Sequence, residues 1–255
     1  MVPITLLSRI AATTMVVCLL ATAPVSAQGG RVVVSVASSV ADAVEEIAAL
    51  YRAATGKPVL VNAGGSNTLA RQIVEGAPAS IFLSADDAQM QAVEKAGRIV
   101  PGTRSTLLTN ELAVIAPAGS TAITLTQVRE GRISRLAVGD PAGVPAGVYA
   151  RTWLEHEGAW GRLQSKVVPF PTVRAVLGAV EAGRVDAGVV YATDAIGARV
   201  RVAARVSAQE TPYLRITYPV ALIAGGNADA ARPFFEFLKG AQARAVFDRR
   251  GFGKP

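Results

Sequence analysis

The sequence is poor in the residues that carry most protein chemistry. Its 255 residues include one cysteine, Cys18, and one histidine, His156. Cys18 lies in an apolar leader, so the rest of the chain has no thiol. That excludes disulfides, thiolate metal sites and a cysteine nucleophile, and it fits an oxidising compartment. His156 stands in Leu154-Glu-His-Glu-Gly158, near the end of a predicted helix and between carboxylates, so it is expected to face solvent. No His/Asp cluster has metal-ligand spacing, no Gly-x-Ser-x-Gly elbow is present, and no glycine loop matches a nucleotide fingerprint. An enzyme is therefore not expected, and no cofactor is implied. The arginines do not gather into a stripe interleaved with aromatics, which gives no reason to expect a nucleic-acid partner. Low-complexity segments, linkers and short-period repeats are also missing.

The leader itself reads as a signal peptide over residues 1–27. Arg9 supplies the positive charge, Ile10 to Leu20 is apolar but too short to span a bilayer, and Val25-Ser26-Ala27 has the small-x-small pattern of a cleavage site. Met15-Val16-Val17 before Cys18 does not make a lipobox. Export to the periplasm with cleavage near Ala27 is the expectation. The whole chain carries a formal charge of +7, and Arg9 is the only charged residue of the leader, so the remaining 228 residues carry +6. Such a charge steers anions towards the protein, although an arginine-rich composition alone would give the same number.

What remains reads as strands alternating with helices. Arg31 to Val36, Pro58 to Val61 and Ile81 to Ser84 are β-branched or apolar runs of strand length. Between them Val40, Val44, Ile47 and Tyr51, then Leu69 and Ile73, fall at helical spacing, and Gly56 and Gly76 close those helices. Ser84 is placed to cap a third helix carrying Met90 and Val93. A second set follows: strands at Leu112–Ala116, Arg135–Val138, Val167–Val168 and Val185–Tyr191, and helices at Val148–Glu157 and around Val173 to Val180. A late strand, Ile216–Ile223, precedes helical segments at Phe234–Lys239 and Ala241–Arg249. The alternation predicts an α/β protein of two lobes, each a mainly parallel sheet flanked by helices. Residues 28–112 form the first lobe, 113–215 the second, and 216–255 return to the first. Ligands in such folds bind between the lobes, at the carboxyl ends of strands.

The strand-to-helix junctions share one chemistry. Ser39 stands in an N-cap position with Asp42 three residues on, and Ser66 does so within Gly64-Gly-Ser-Asn-Thr68. Val144-Pro-Ala-Gly147 and Pro169-Phe-Pro-Thr-Val173 open two helices in the second set. Each helix start offers free backbone N–H groups and the positive end of a helix dipole. Four starts facing one cleft would hold an anion without lysine or arginine. Serine at an N-cap ordinarily just caps its helix, so this pattern alone leaves both readings open.

Longer motifs carry a family likeness. The run from Asn62 to Pro78 continuing to Phe82-Leu-Ser-Ala-Asp86, the run Ala137 to Ala150, the run Asp186 to Ala195 and Tyr218-Pro-Val-Ala221 closely resemble the periplasmic molybdate-binding proteins of ABC transporters. The likeness covers about Val32 to Phe252. It implies a two-lobed type II periplasmic binding fold that holds molybdate or tungstate in the interlobe cleft through neutral donors, and a membrane permease as partner; a free monomer is the simplest form in which to meet that partner. The resemblance also implies the donors: backbone N–H and hydroxyl of Ser39 and Ser66, backbone N–H of Ala146 and Val173, and the phenol of Tyr191. The metal would be bound as its oxyanion, with no direct metal ligand. Three positions depart from the family pattern: Ser38 replaces the usual alanine, Val40 a frequent leucine, and Ser80 an aspartate.

A donor-only site suits a fully deprotonated dianion. Phosphate is partly protonated at neutral pH and its proton needs an acceptor, so it is disfavoured. Sulfate is smaller than molybdate, while tungstate is nearly the same size. The remaining alternatives are a binder of another oxyanion such as sulfate, and a non-catalytic sensor of the same fold. The export signal and the lack of a DNA-binding segment count against a transcriptional sensor.

Overall fold

The computed structural model describes residues 31–120 and 123–255. The signal-peptide reading of 1–27 lies outside the described residues. In chain order the elements are β1 (Val32–Ala37), α1 (Ala41–Thr55), β2 (Val59–Gly64), α2 (Ser66–Val74), β3 (Ile81–Leu83), α3 (Asp87–Lys95), β4 (Ser105–Asn110) and β5 (Leu112–Pro117). They continue with α4 (Leu125–Arg129), β6 (Leu136–Gly139), α5 (Pro145–His156), α6 (Trp160–Leu163), β7 (Val167–Phe170), α7 (Val173–Glu181), β8 (Ala187–Tyr191) and β9 (Val200–Val206). The chain ends with β10 (Ile216–Leu222), α8 (Ala228–Lys239) and α9 (Ala241–Arg249).

The strands form two five-stranded sheets, in orders β2-β1-β3-β10-β4 and β7-β6-β8-β5-β9. In the first, β1 pairs parallel with β2 and β3, while β10 runs antiparallel between β3 and β4. In the second, β6 pairs parallel with β7 and β8, and β5 runs antiparallel between β8 and β9. Each sheet thus has four strands in one direction and one against them. The reversed strand in each is the first after a crossing between the sheets: β5 follows Glu111, and β10 follows the segment 207–215. The C-terminal helices pack back on the first sheet, α8 against β10 and α9 against α1.

Burial follows the periodicity. Val44, Ile47, Ala48 and Tyr51 of α1 are buried, and Tyr51 meets Phe234 of α8 edge-on with ring centroids 5.1 Å apart. Burying an aliphatic side chain of this size stabilises by roughly 1.5–3 kcal/mol, so a charge at the fully buried Ile47 would unseat the helix. Gly56 ends α1 in the left-handed region, φ 72°, and its N–H caps the Arg52 carbonyl, a conformation that glycine adopts without strain.

Several local readings change. β4 and β9, both at sheet edges, and the short helices α4 and α6 have no counterpart in the periodicity. Helix α5 begins at Pro145 rather than Val148, because proline at the first helical position has a preset φ and no N–H to lose. Ser84 does not cap α3: Asp86 does, accepting from the Gln89 N–H at 3.0 Å, and the Ser84 hydroxyl donates to that carboxylate. Ser39 and Ser66 are not N-caps either. Ser39 lies inside a 3-10 turn, Ser38–Val40, and Ser66 is the first residue of α2 after Gly65.

Candidate functional site

Between the two sheets lies a small cavity, with room of only about 10 Å³. Its wall comes from the 3-10 turn after β1, the starts of α2, α5 and α7, Ala85 after β3, and the end of β8. Ser39, Ser66, Ala146, Val173 and Tyr191 all line it, and among the described residues no charged side chain does. The structure therefore brings together the five positions picked out in the sequence, from both lobes. Ser38 also lines the cavity, whereas Val40 is buried in the core. Ser80 lies outside it, its hydroxyl accepting from the Val33 N–H at 3.2 Å.

Each donor is set by its element. Ala146 is the second residue of α5 and Val173 the first of α7, so neither backbone N–H has a partner within its helix. Close seating of α5 depends on Gly147, where a Cβ would come 1.9 Å from the Gly139 carbonyl oxygen. Thr172 caps α7 by accepting from the Ala175 N–H at 3.1 Å, so that cap does not occupy the Val173 N–H. The Ser66 hydroxyl oxygen accepts from the Ala85 N–H at 3.0 Å, so its own hydrogen remains available. The Ser39 hydroxyl lies 2.9 Å from the Tyr218 phenol.

Tyr191 is the telling member. Its phenol oxygen is buried with no hydrogen-bond partner among the described residues. An unpaired buried hydroxyl costs about 1–3 kcal/mol, a penalty that a ligand acceptor would remove. Burial holds the phenol far above its ordinary range, so it stays protonated and is a donor. Behind it, Asp194 accepts from the Tyr191 N–H at 3.2 Å, and burial pushes this carboxyl up to about 7 against the opposing pull of Arg174 and that N–H. Arg174 stands 3.5 Å from Asp194, close enough for attraction but too far for a hydrogen bond.

The lobes meet around the cavity. Arg174 of α7 reaches Asp42 of α1 at 2.8 Å and donates to the Ser38 carbonyl at 3.3 Å. Gly143 packs on Asn67, and Gly65 on Pro171. His156 is exposed, stacked on Tyr213 with centroids 3.7 Å apart, and takes no part in the cavity. A larger groove of about 360 Å³ lies beside the crossings, lined by Glu111, Arg205 and Arg215 among others. It lacks the converging helix starts. Among the described residues no group of three or more His, Cys, Asp or Glu side chains could hold a metal ion, and no helix is long and apolar enough to cross a membrane.

Sequence reasoning missed Thr172 as a cap, Arg174 and Asp194 as a bridge, and Asn110 and Tyr218 as a support for Ser39. Thr172 ahead of the apolar period from Val173 was a usable cap signal. The others act through partners distant in sequence, which no local pattern reveals.

Two α/β lobes joined by two crossings, with a small uncharged compartment of helix starts between them, define a two-lobed binding protein for a small anion. The chain belongs to the bacterial extracellular solute-binding protein family, whose profile matches residues 32–253. It is 38% identical over 235 residues to the molybdate-binding protein ModA of Escherichia coli, covering 89% of this chain and 90% of that protein. The corresponding protein of Haemophilus influenzae is 33% identical, with 89% and 91% covered. Among solved structures, the periplasmic molybdate-binding protein of Azotobacter vinelandii superposes with a TM-score of 0.78 at 25% identity, covering 88% of this chain and all of that one.

Proposed function

We propose that this protein captures molybdate, and tungstate equally well, in the periplasm and delivers it to the permease of an ABC transporter. It acts as a monomer, without catalysis and without a cofactor, after a signal peptide is cleaved near Ala27. Backbone N–H groups and hydroxyls of Ser39 and Ser66, backbone N–H groups of Ala146 and Val173, and the Tyr191 phenol hold the oxyanion. The observation that carries this reading is the uncharged cavity into which helix starts from both lobes and an unpartnered, fully buried phenol converge. The relatives named as molybdate-binding proteins supply the identity of the ion.

Helix starts and neutral donors stabilise a dianion without a counter-ion. Closing donors from both lobes around the ion makes the closed form the one a permease recognises. Donor spacing sets the preference, because sulfate and molybdate carry the same charge. Donors fixed on helix ends cannot all follow a smaller ion inward, and each one left unmade costs about 1–3 kcal/mol. Two such losses separate the ions by a factor of roughly a hundred. Competition calorimetry on the purified protein tests this: molybdate and tungstate should bind alike, sulfate far more weakly and phosphate least. Displacement of molybdate by an equal concentration of sulfate would overturn the assignment.

A further inference from the structure

We infer that Tyr218 is a positioning residue for the oxyanion: held by Asn110, its O–H donates a hydrogen bond to Ser39 and leaves the Ser39 hydroxyl hydrogen free to enter the cavity. This rests on the functional reading above and adds a residue outside the cavity wall.

The argument is one of hydrogen counting. The Asn110 side-chain oxygen accepts from the Glu111 N–H at 2.9 Å, which fixes the amide so that its nitrogen faces the other way. That nitrogen has two hydrogens. One goes to the Thr193 hydroxyl at 2.9 Å and the other to the Tyr218 phenol oxygen at 3.2 Å. Tyr218 thus already accepts from Asn110. Its other polar neighbour is the Ser39 hydroxyl at 2.9 Å. Tyr218 is fully buried, and burial keeps its phenol protonated. A buried O–H needs an acceptor, and among the described residues Ser39 Oγ is the one within reach. Once Ser39 accepts, its own hydrogen must point elsewhere, and Ser39 lines the cavity.

The same logic holds at Ser66, whose hydroxyl accepts from the Ala85 N–H. Both serines are therefore set as donors by neighbours that occupy their acceptor side. The support of Ser39 differs in its reach. Asn110 ends β4 at the first crossing, and Thr193 follows β8 of the other sheet. The donor state of a first-lobe ligand is thus tied to a bridge between the lobes.

The test is a double-mutant cycle on the full chain, with molybdate as titrant in calorimetry. Ser39→Ala should weaken binding by about ten- to a hundredfold, the value of a hydrogen bond to a charged group. Tyr218→Phe keeps the ring and should weaken binding about three- to tenfold, because Ser39 then points its hydrogen inward only part of the time. In the Ser39→Ala background Tyr218→Phe should have no further effect, since there is no hydroxyl left to orient. A merely structural role would give the same fold-loss in both backgrounds and would overturn the inference, as would unchanged affinity in Tyr218→Phe. If Tyr218→Phe does not fold, Asn110→Asp serves. Its carboxylate accepts from the Tyr218 O–H in place of Ser39; because its charge also repels the dianion in both backgrounds, the expected sign is a larger loss of affinity with Ser39 present than in Ser39→Ala, and equal losses would overturn the inference. Wild-type protein that binds no molybdate would instead overturn the functional reading, and this inference with it.

Discussion

The carbonyl oxygen of Pro171 stands 2.9 Å from where a Cβ on Gly65 would sit, across the cleft between the lobes. The Gly65 backbone is ordinary, with φ −66° and ψ 133°, so glycine is not needed there for conformation. The other close atom, Asn67 Oδ1 at 2.8 Å, is the end of a flexible side chain. What requires glycine is the approach of the second lobe.

Gly65→Ala should therefore fold normally and close poorly. Overpacking at a contact of this kind costs about 1–3 kcal/mol, which lowers molybdate affinity by a factor of about ten to a hundred. Small-angle scattering should show less contraction on adding molybdate than in the wild type, with unchanged thermal unfolding of the free protein. Wild-type affinity and contraction in this variant would show that the lobes do not approach as described.

Tyr191→Phe separates binding from stability. The phenol oxygen is buried and unpartnered, so deleting it removes a desolvation penalty and should leave the free protein as stable or more so. Binding should weaken by about 1–3 kcal/mol. His156→Ala is the contrast: it loses an exposed stack on Tyr213 and should leave affinity unchanged. Titration and thermal unfolding of both variants decide the matter, and greater loss of affinity from His156→Ala would refute the placement of the site.

Most strands that the sequence announces are buried ones, although the edge strands Val59–Gly64 and Val167–Phe170 were legible as well, from their β-branched valines. Ile81–Leu83 and Ala187–Tyr191 are buried at every residue, and their apolar runs show it. The strands missed, Ser105–Asn110 and Val200–Val206, lie at sheet edges and carry Ser, Thr or Arg on exposed or partly exposed positions. One exposed face dilutes the pattern that marks a strand. The helix starts around the cavity were legible from Gly, Pro, Ser and Thr punctuation. The roles of the serines within them were not. Ser39 followed by Asp42 has the spacing of a capping box, yet the hydroxyl meets Tyr218, 179 residues away, and Asp42 pairs with Arg174. Local spacing cannot report such partners.

The Arg174–Asp42 ion pair crosses the cleft at 2.8 Å, but its side chains are 37% and 53% exposed. A pair so open to water contributes at most about 1 kcal/mol. Asp42→Asn should lower affinity by less than about fivefold at low salt, and the difference should vanish near 0.5 M salt, as a Debye length of only a few ångströms requires. A tenfold or larger loss that persists at high salt would mean that Asp42 acts on the site more directly.

The last expectation concerns pH and Asp194. Burial raises this carboxyl from 3.8 to about 7, with Arg174 and the Tyr191 N–H pulling it down and Asp42 pushing it up. Asp194, Arg174, Arg249 and Arg250 line a second pocket, distinct from the ligand cavity. Between about pH 4 and 7 the folded protein holds a proton that the unfolded chain has released. Stability should then fall as pH rises through that window and level off above it. The carboxyl sits directly behind Tyr191, so a bound dianion disfavours its ionised form and raises its pKa further. Binding near neutral pH should take up protons, and affinity should fall as pH rises from 6 to 8.5, by up to about tenfold for a ligand-induced shift of one unit. Asp194→Asn keeps an oxygen to accept the Tyr191 N–H and has nothing to titrate. It should flatten both profiles and raise stability above pH 7 relative to the wild type. Calorimetry in buffers of different ionisation enthalpy measures the proton uptake directly. Equal uptake in the wild type and Asp194→Asn would assign the proton to another group and remove Asp194 from the account of binding.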